Sequence, residues 1–499
     1  MCGFVCLWRI EDSVLARRMI DKIAHRGPDE VRVTRAENVP AIMAHCRLSI
    51  IGLSNGAQPI YSTEDILVAN GEIYNYAELR AILGESAFET ESDSETILHL
   101  FRSEEVRWIH RLDGMFAFVL ATPERIIAAR DPLGIKPLFM ARIGDGLALA
   151  SELKAFDGLG LETVEAIGPG ALFDSTDGYR EWYRTPQGAA ELRTDEDPEP
   201  IWRELRLVLE AAVRKWMIAD VEVGAFLSGG LDSSIIAALA AGAVERPLKT
   251  FSVGTKGSPD LAAARAVARH IGSDHHELIF GSDDLADVLP HVIYHLESAD
   301  IDLVRSALPT HFAATLARRH VKAVLTGEGA DELFAGYAYH HAYARKPRAL
   351  ADELTRSLGT MHNINLQRVD RITMAQGLEA RTPYLDRDLI DFAQSIPASL
   401  KMKVMHALNG ETIEKWVLRK ACEDLLPADV LWRKKAQFDE GSGTVEVLEH
   451  ALSRLAGVTV PVDRESEGRL YERLLRRQYE DPDLILANAG MWTAGRVVI

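Results

Sequence analysis

The chain has 499 residues, 47% of them hydrophobic and 26% charged, which is the profile of a folded globular protein and excludes disorder or a collagen-like repeat as a whole-chain account. At roughly 150 residues per domain it is too long for one hydrophobic core, so two large domains are expected. Lys and Arg number 56 against 74 for Asp and Glu, a formal charge of −18, and this acidity disfavours nucleic acid or an anionic membrane as the main partner.

The four cysteines, Cys2, Cys6, Cys46 and Cys422, are scattered and form no CxxC pair. They read as thiols in a reducing, cytoplasmic setting rather than as a disulfide framework or zinc site. No run of about 18 apolar residues occurs, and the opening MCGFVCLWRIED lacks the basic end and long apolar middle of a signal peptide. Neither a membrane span nor export is expected.

In chain order, residues 1 to about 185 alternate short β-type runs (GFVCLW, AIMAHCRLSI, DILVAN, MFAFVLAT, RIIAAR, LALAS) with Gly, Pro, Asn and Asp turns. Helices are predicted near 13–24 and 94–104. The stretch PQGAAELRTDEDPEP, 186–200, is polar and acidic with three prolines, the composition of a surface linker. Beyond it, helical runs (IWRELRLVLEAAVRKWM, SSIIAALAAGAV, DLAAARAVARHIG) alternate with short apolar strands (VGAFL, LKTFSVG, KAVLTG), the βαβ rhythm of a doubly wound parallel sheet. From about 342 the chain reads as mostly helical. The expected division is 1–190 and 201–499.

Chemistry begins at Cys2. Once Met1 is removed, its thiol and α-amine share one residue, and the amine, with an ordinary pKa of about 7.7–8.0, can serve as base for its own nucleophile. Further along stand His25-Arg26-Gly27-Pro28-Asp29, Arg47-Leu48-Ser49-Ile50-Ile51, Asn70-Gly71-Glu72-Ile73-Tyr74-Asn75, Ser92-Asp93-Ser94-Glu95 and Asp131-Pro132-Leu133-Gly134. Attack on a glutamine side-chain amide needs donors for the developing oxyanion, which the Asn70 side chain and Gly71 N–H could supply. The charged head of free glutamine needs a guanidinium such as Arg47 and carboxylates such as Asp93 and Glu72. Taken singly, Asn-Gly reads as a hairpin turn and Arg47 and Asp93 as surface ion-pair residues.

In the second half, Leu227-Ser228-Gly229-Gly230-Leu231-Asp232-Ser233-Ser234 follows an apolar strand and opens a helix. Glycines, hydroxyls and a helix N-terminus make that turn suited to an anion, and it is not a Walker A loop, because GxxxxGK[ST] is absent. Val253 lies in the next strand. Leu325-Thr326-Gly327-Glu328-Gly329-Ala330-Asp331-Glu332 is a second acidic, glycine-bearing turn. The adjacent His275 and His276 point to opposite faces of a strand and make a poor metal clip. Asp232 has helix capping as its ordinary role, and Arg433-Lys434-Lys435 reads alone as a solvated basic run.

Together the first set of motifs resembles the N-terminal-nucleophile glutaminase domain of class II amidotransferases, which implies an αββα sandwich over 1–190. The SGGLDSS loop resembles the pyrophosphate loop of ATP pyrophosphatases. The whole, from residue 2 to about 445, is identified as a member of the glutamine-hydrolysing asparagine synthetase family. The resemblance implies Cys2, Asn70, Gly71, Glu328, Lys435 and Arg305 as catalytic. It gives residues 47–51, Asn70, Gly71, Glu72 and Asp93 to glutamine, and Leu227, Ser228, Gly229, Gly230, Asp232, Ser233, Ser234, Val253, Thr326 and Gly327 to ATP. Asp232 and Asp331 are implied for Mg²⁺ on the departing pyrophosphate. Aspartate is the implied acceptor, and a homodimer is the assembly the family allows. One departure stands out: close family members carry threonines where Asp302 and Leu303 stand. That departure keeps open an amidotransferase of the same build acting on another carboxylate. A non-catalytic glutamine- and ATP-sensing module is the alternative from another class. After 445 only an Arg469-Leu470-Tyr471 similarity persists.

Overall fold

The structure is a computed structural model and describes residues 2–62, 64–103, 107–189, 197–405, 411–434, 438–457, 462–493 and 496–498. Its first half holds two six-stranded antiparallel sheets. One runs β10-β8-β9-β1-β3-β2, from β1 (Cys2–Trp8), β2 (Glu30–Arg35), β3 (Ala41–Arg47), β8 (Phe139–Ile143), β9 (Gly146–Ala150) and β10 (Glu165–Ala166). The other runs β12-β11-β7-β6-β5-β4, from β4 (Ile60–Tyr61), β5 (Ile66–Ile73), β6 (Gly114–Ala121), β7 (Ile126–Arg130), β11 (Ala171–Asp174) and β12 (Gly178–Glu181).

The layering follows from which faces are apolar. In β1, Phe4, Cys6 and Trp8 pack between the sheets against Val68, Val119 and Ala128, while Val5 and Leu7 turn outward onto helix α1 (Ser13–Lys22) through Met19 and Ile20. Both faces are covered, so the strand is a continuous apolar run rather than an alternating one. The second sheet's outer face carries α2 (Tyr76–Leu83) and α3 (Glu95–Ser103) through Leu79, Ile97 and Leu100. This is the expected αββα sandwich. The charged strand Glu30–Arg35, which the apolar-run reading passes over, lies at a sheet edge and is only half-buried, where charge discourages further pairing.

The second half is built on an all-parallel sheet ordered β15-β14-β13-β16-β17: β13 (Val223–Phe226), β14 (Lys249–Gly254), β15 (Asp274–Ile279), β16 (Ala323–Leu325) and β17 (Glu379–Arg381). Helices α4 (Glu199–Trp216), α5 (Leu231–Gly242) and α6 (Pro259–Ile271) cover one face, and α7 (Ser282–Leu296) and α8 (Ile301–Ala317) the other. The sheet is therefore doubly wound, with its order reversing between β13 and β16, the place where such sheets open a ligand crevice. The remaining helices are α9 (Ala330–Phe334), α10 (Pro347–Thr360), α11 (Asn365–Met374), α12 (Arg387–Ser395), α13 (Ala398–Lys401), α14 (Trp416–Ala421), α15 (Ala428–Leu431), α16 (Phe438–Gly441), α17 (Thr444–Ala456), α18 (Arg464–Arg476) and α19 (Pro482–Ala487). No helix among the described residues is long and apolar enough to cross a membrane.

The halves share one packed interface. The cluster containing Leu48, Ile51, Tyr74 and Met115 of the first half continues into Leu231, Tyr384 and Leu385 of the second. The expected linker starts differently from the sequence reading: Gly188 N donates to Thr355 Oγ1 at 3.1 Å, and Ala189 exchanges hydrogen bonds of 2.9 Å with Gln394 and Ala398. Polarity at 186–189 reflects backbone docked onto the second half, while residues 190–196 lie outside the described ones.

Candidate active sites

Strand pairing assembles the first site. Cys2 opens β1 directly opposite Arg47, the last residue of β3, and Asn70 and Gly71 lie in the middle of β5, paired to Ala117 and Phe116. Asn-Gly is thus no hairpin turn. Gly71 sits at φ 139°, and a side chain there would meet the Met115 carbonyl at 1.9 Å, so only glycine lets the two backbones approach. Cys2 N donates to Asn70 Oδ1 at 3.1 Å, and Asn70 Nδ2 is buried with no hydrogen-bond partner. A buried donor without an acceptor is costly, and this one belongs to the side chain that accepts from Cys2 N.

Burial raises the Cys2 thiol's pKa, while the Leu48 N–H and the Arg47 charge pull it back down. Arg47 Nη2 donates to Gly52 O at 2.6 Å. Its loop is braced from the other half, since Gly52 N donates to Asp220 Oδ2 at 2.8 Å and Asp220 N to Ile50 O at 3.0 Å; Ser49 N donates to Asp29 Oδ2 at 2.8 Å. Asp93 accepts from Ile73 N at 2.6 Å, and burial raises its carboxyl to about 6. Glu72 is pushed up by burial, then by Glu379 and Asp93. Arg47 and Asp93 are therefore buried, and the surface ion-pair reading is corrected.

The second site lies at the sheet's reversal. A cavity of about 490 Å³ is lined by Leu227, Ser228, Gly230, Asp232, Ser233, Val253, Thr326, Gly327, Glu328 and Asp331. Gly229 takes φ 75°, where an added side chain would strike Ala264 N at 2.5 Å and Asp260 O at 2.8 Å. Ser228 and Ser233 hydroxyls lie 2.9 Å apart, and the buried Ser234 hydroxyl has no partner. With α5 beginning at Leu231, the turn presents hydroxyls and a helix N-terminus to the cavity.

Asp232 does not cap its helix; the N-cap is Gly230. Asp232 and Asp331 instead converge on Lys415 Nζ, at 2.6–2.7 Å and 2.5 Å. Lys415 is buried with φ 55° and immediately precedes α14. Nothing in GETIEKWVLRKA marks this lysine, because 183 residues separate it from Asp232. Glu328 Oε1 accepts from Arg368 Nη2 at 2.6 Å, a partner also unmarked by motif.

Three expectations are corrected or fall outside. Arg305 does not line the cavity: Nε and Nη2 are held by the buried Glu467 at 2.8 and 2.6 Å, so it ties α8 to α18 rather than facing phosphate. Arg433 is no solvated residue; it reaches Gly229 O at 3.2 Å and Asp260 Oδ1 at 2.8 Å, and Lys434 lines the cavity. Lys435 lies outside the described residues. Asp302 lines the cavity and is paired to Arg464 at 2.6 Å, and Leu303 is buried beside it. His275 and His276 bind neighbours within the sheet region, Thr250 and Phe251.

Residues 1–168 match the glutamine amidotransferase domain family, and residues 204–358 and 344–494 match the asparagine synthase family. Fold and sites thus define a class: a glutamine amidotransferase domain fused to an α/β synthetase domain. A probable glutamine-hydrolysing asparagine synthetase of Schizosaccharomyces pombe is 36% identical, aligned over 96% of this chain and 95% of its own. The asparagine synthetase of Asparagus officinalis and asparagine synthetase 3 of Arabidopsis thaliana are each 38% identical over 89% of this chain, covering 78% and 79% of theirs. The chain belongs to the glutamine-hydrolysing asparagine synthetase family.

That family uses ATP as co-substrate, and its chemistry implies Mg²⁺. Two carboxylates that already share one cation, as Asp232 and Asp331 share the Lys415 ammonium, are a donor set suited to Mg²⁺, which takes one or two carboxylates and completes its shell with phosphate and water. Among the described residues no group of three or more His, Cys, Asp or Glu could hold a metal alone.

Proposed function

We propose that the chain makes asparagine in two linked reactions. At the first site the Cys2 thiol, deprotonated by its own α-amine once Met1 is removed, attacks the glutamine amide carbon. The amine's place is supported by the Cys2 N to Asn70 Oδ1 hydrogen bond. Asn70 Nδ2 and Gly71 N–H receive the oxyanion, Arg47 takes the substrate carboxylate, and Asp93 and Glu72 take its ammonium. The tetrahedral adduct collapses with cleavage of the C–N bond, the α-ammonium giving its proton to the departing nitrogen, so that ammonia leaves and a thioester remains on Cys2; water then hydrolyses the thioester to glutamate and frees the thiol.

At the second site the aspartate β-carboxylate attacks the α-phosphorus of ATP, forming β-aspartyl-AMP and releasing pyrophosphate. The 228–234 turn receives the phosphates, and Lys415 and Lys434 offset their charge. Asp232 and Asp331 would hold Mg²⁺, which supplies charge neutralisation on the departing pyrophosphate. Ammonia displaces AMP, with Glu328 as acceptor for the proton it sheds. Neutral ammonia must cross between sites without meeting bulk water, and the apolar cluster from Leu48 and Met115 to Leu231 supports such a path. Confinement raises its effective concentration, in principle to about 10⁵ M or more.

The cavity carries this reading: one space of about 490 Å³ is bounded by the phosphate-type turn and Glu328, within the usual range of about 300–1,000 Å³ for small-ligand sites. Because Arg464 offsets the Asp302 charge, aspartate is retained as acceptor. The test is product identification with amide-labelled glutamine, ATP, Mg²⁺ and a panel of acids. Label in asparagine with stoichiometric pyrophosphate is expected; transfer to a different acid, with aspartate inert, would overturn the choice of acceptor. The proposed setting is the cytoplasm, and the proposed assembly a homodimer, which sedimentation of the full chain checks.

A further inference from the structure

Helix α11 stands between the two sites, with an ion pair to the cavity at Arg368 and a buried ion pair to the first half at Asp370. In the cavity Arg368 donates to Glu328 at 2.6 Å. Arg368 and Asp370 belong to α11, two residues apart, so their side chains leave the helix roughly 200° from one another. One serves the cavity and the other enters the interface. There Asp370 accepts from Arg26 Nη1 at 2.8 Å and Nη2 at 3.1 Å, and Arg26 Nε donates to the Cys2 carbonyl at 3.0 Å. Arg26 also binds Glu152.

Neighbouring charges complete the network. Lys136 and Arg371 approach Asp370 at 3.5 and 3.2 Å, Glu297 holds Arg371 at 2.8 Å and Lys154 at 2.9 Å, and Lys154 holds Glu152 at 2.5 Å. Arg26 is fully buried and Asp370 is 3% exposed. Burial would raise the Asp370 carboxyl, yet Arg26 and Lys136 hold it below its ordinary range. Asp370 is therefore an ionised, bidentate acceptor, a geometry that tolerates little displacement.

We infer that Asp370 is a positioning residue that ties Cys2 to the state of the synthetase cavity, with α11 carrying any change in the Glu328–Arg368 pair to Arg26 and the Cys2 backbone. The inference rests on the two chemistries proposed above. Substrate that engages Glu328 or Arg368 loosens their pair, and α11 moves as a unit because its other face is packed. Loading the cavity then raises glutaminase turnover, which matches supply of ammonia to the presence of an adenylate.

The test measures glutamate release by the full chain, with kcat and KM separated, when the cavity is empty and when ATP, Mg²⁺ and aspartate saturate it. In the unaltered enzyme loading raises glutaminase kcat about fivefold or more, the low end of ordinary coupling between sites. Asp370→Asn abolishes that response while ammonia-dependent synthesis stays near the unaltered rate, and Asp370→Glu restores part of the response. A merely structural role would lower both glutaminase rates together and leave their ratio unchanged. That result, or an unaltered enzyme that does not respond to loading, overturns the inference. Should Asp370→Asn not fold, the ratio in Asp370→Glu decides: reduced supports the inference, unchanged overturns it. An unaltered enzyme that releases no glutamate, or no pyrophosphate with aspartate, is a different outcome and rejects the proposed function itself.

Discussion

The two candidate sites are built on opposite architectures. The proposed glutamine site is set into antiparallel strands: Cys2, Arg47, Asn70 and Gly71 are all strand residues held by ladder hydrogen bonds, the first three buried and Gly71 half-buried. The synthetase site instead hangs from turns beyond the ends of parallel strands, where Ser228, Glu328 and Lys415 come from three distant segments around one open space. A small amide that must meet a fixed oxyanion donor suits a strand-built site, because paired backbones move little. A nucleotide together with an amino acid needs volume, and a doubly wound sheet offers it where its order reverses.

Separate construction implies separable loss. Cys2→Ala should reduce glutamine-dependent synthesis by at least about three orders of magnitude and leave ammonia-dependent synthesis intact, assayed as asparagine formed from each nitrogen source. Loss of both would break the division. Glu328→Ala should lower ammonia-dependent asparagine formation by about 10²–10⁴ while glutamate release from glutamine continues; normal asparagine formation would remove Glu328 from the reaction.

A smaller effect concerns pH. Burial places the Asp93 carboxyl at about 6, against an ordinary 3.8. Below that value it is neutral and cannot hold the substrate ammonium, so KM for glutamine should rise as pH falls through about 6, while Asp93→Asn should show a high, flat KM. The stability linkage has the opposite sign: between the ordinary value and about 6 the folded chain retains a proton that the unfolded chain has lost, so this group's contribution falls as pH rises through that window. Smallest is the cap of α18, where Asp463 Oδ1 accepts from Ser466 N at 2.7 Å. Asp463→Ala should cost about 1 kcal/mol, read from denaturant unfolding, and leave Cys2-dependent glutaminase unchanged. A drop in synthetase turnover would sharpen the comparison by extending that site to α18 through Glu467 and Arg305.

Local chemistry was legible where a motif carries its own geometry. The strand–turn–helix at 223–242 and the apolar runs of β1 and β5 follow from period and from glycine placement. Asn70-Gly71 was ambiguous by the same means, since a turn and a close backbone approach both call for glycine; pairing with Phe116 decided it. Arg305 shows the reverse failure, because its residue type suited phosphate but Glu467, 162 residues away, claims it.

What the sequence by itself determined is the chemical inventory and its order: a thiol behind the initiator Met, an amide beside a glycine, a turn rich in glycine and hydroxyls, and an acidic residue beside a second pair of glycines. Only the tertiary structure decided which charges meet. Lys415 between Asp232 and Asp331, Arg368 on Glu328, and Asp370 on Arg26 join residues separated by 183, 40 and 344 positions. Such pairs leave no periodic or compositional trace, because a buried charge is selected by whatever opposite charge the fold brings beside it, and distance along the chain says nothing of that.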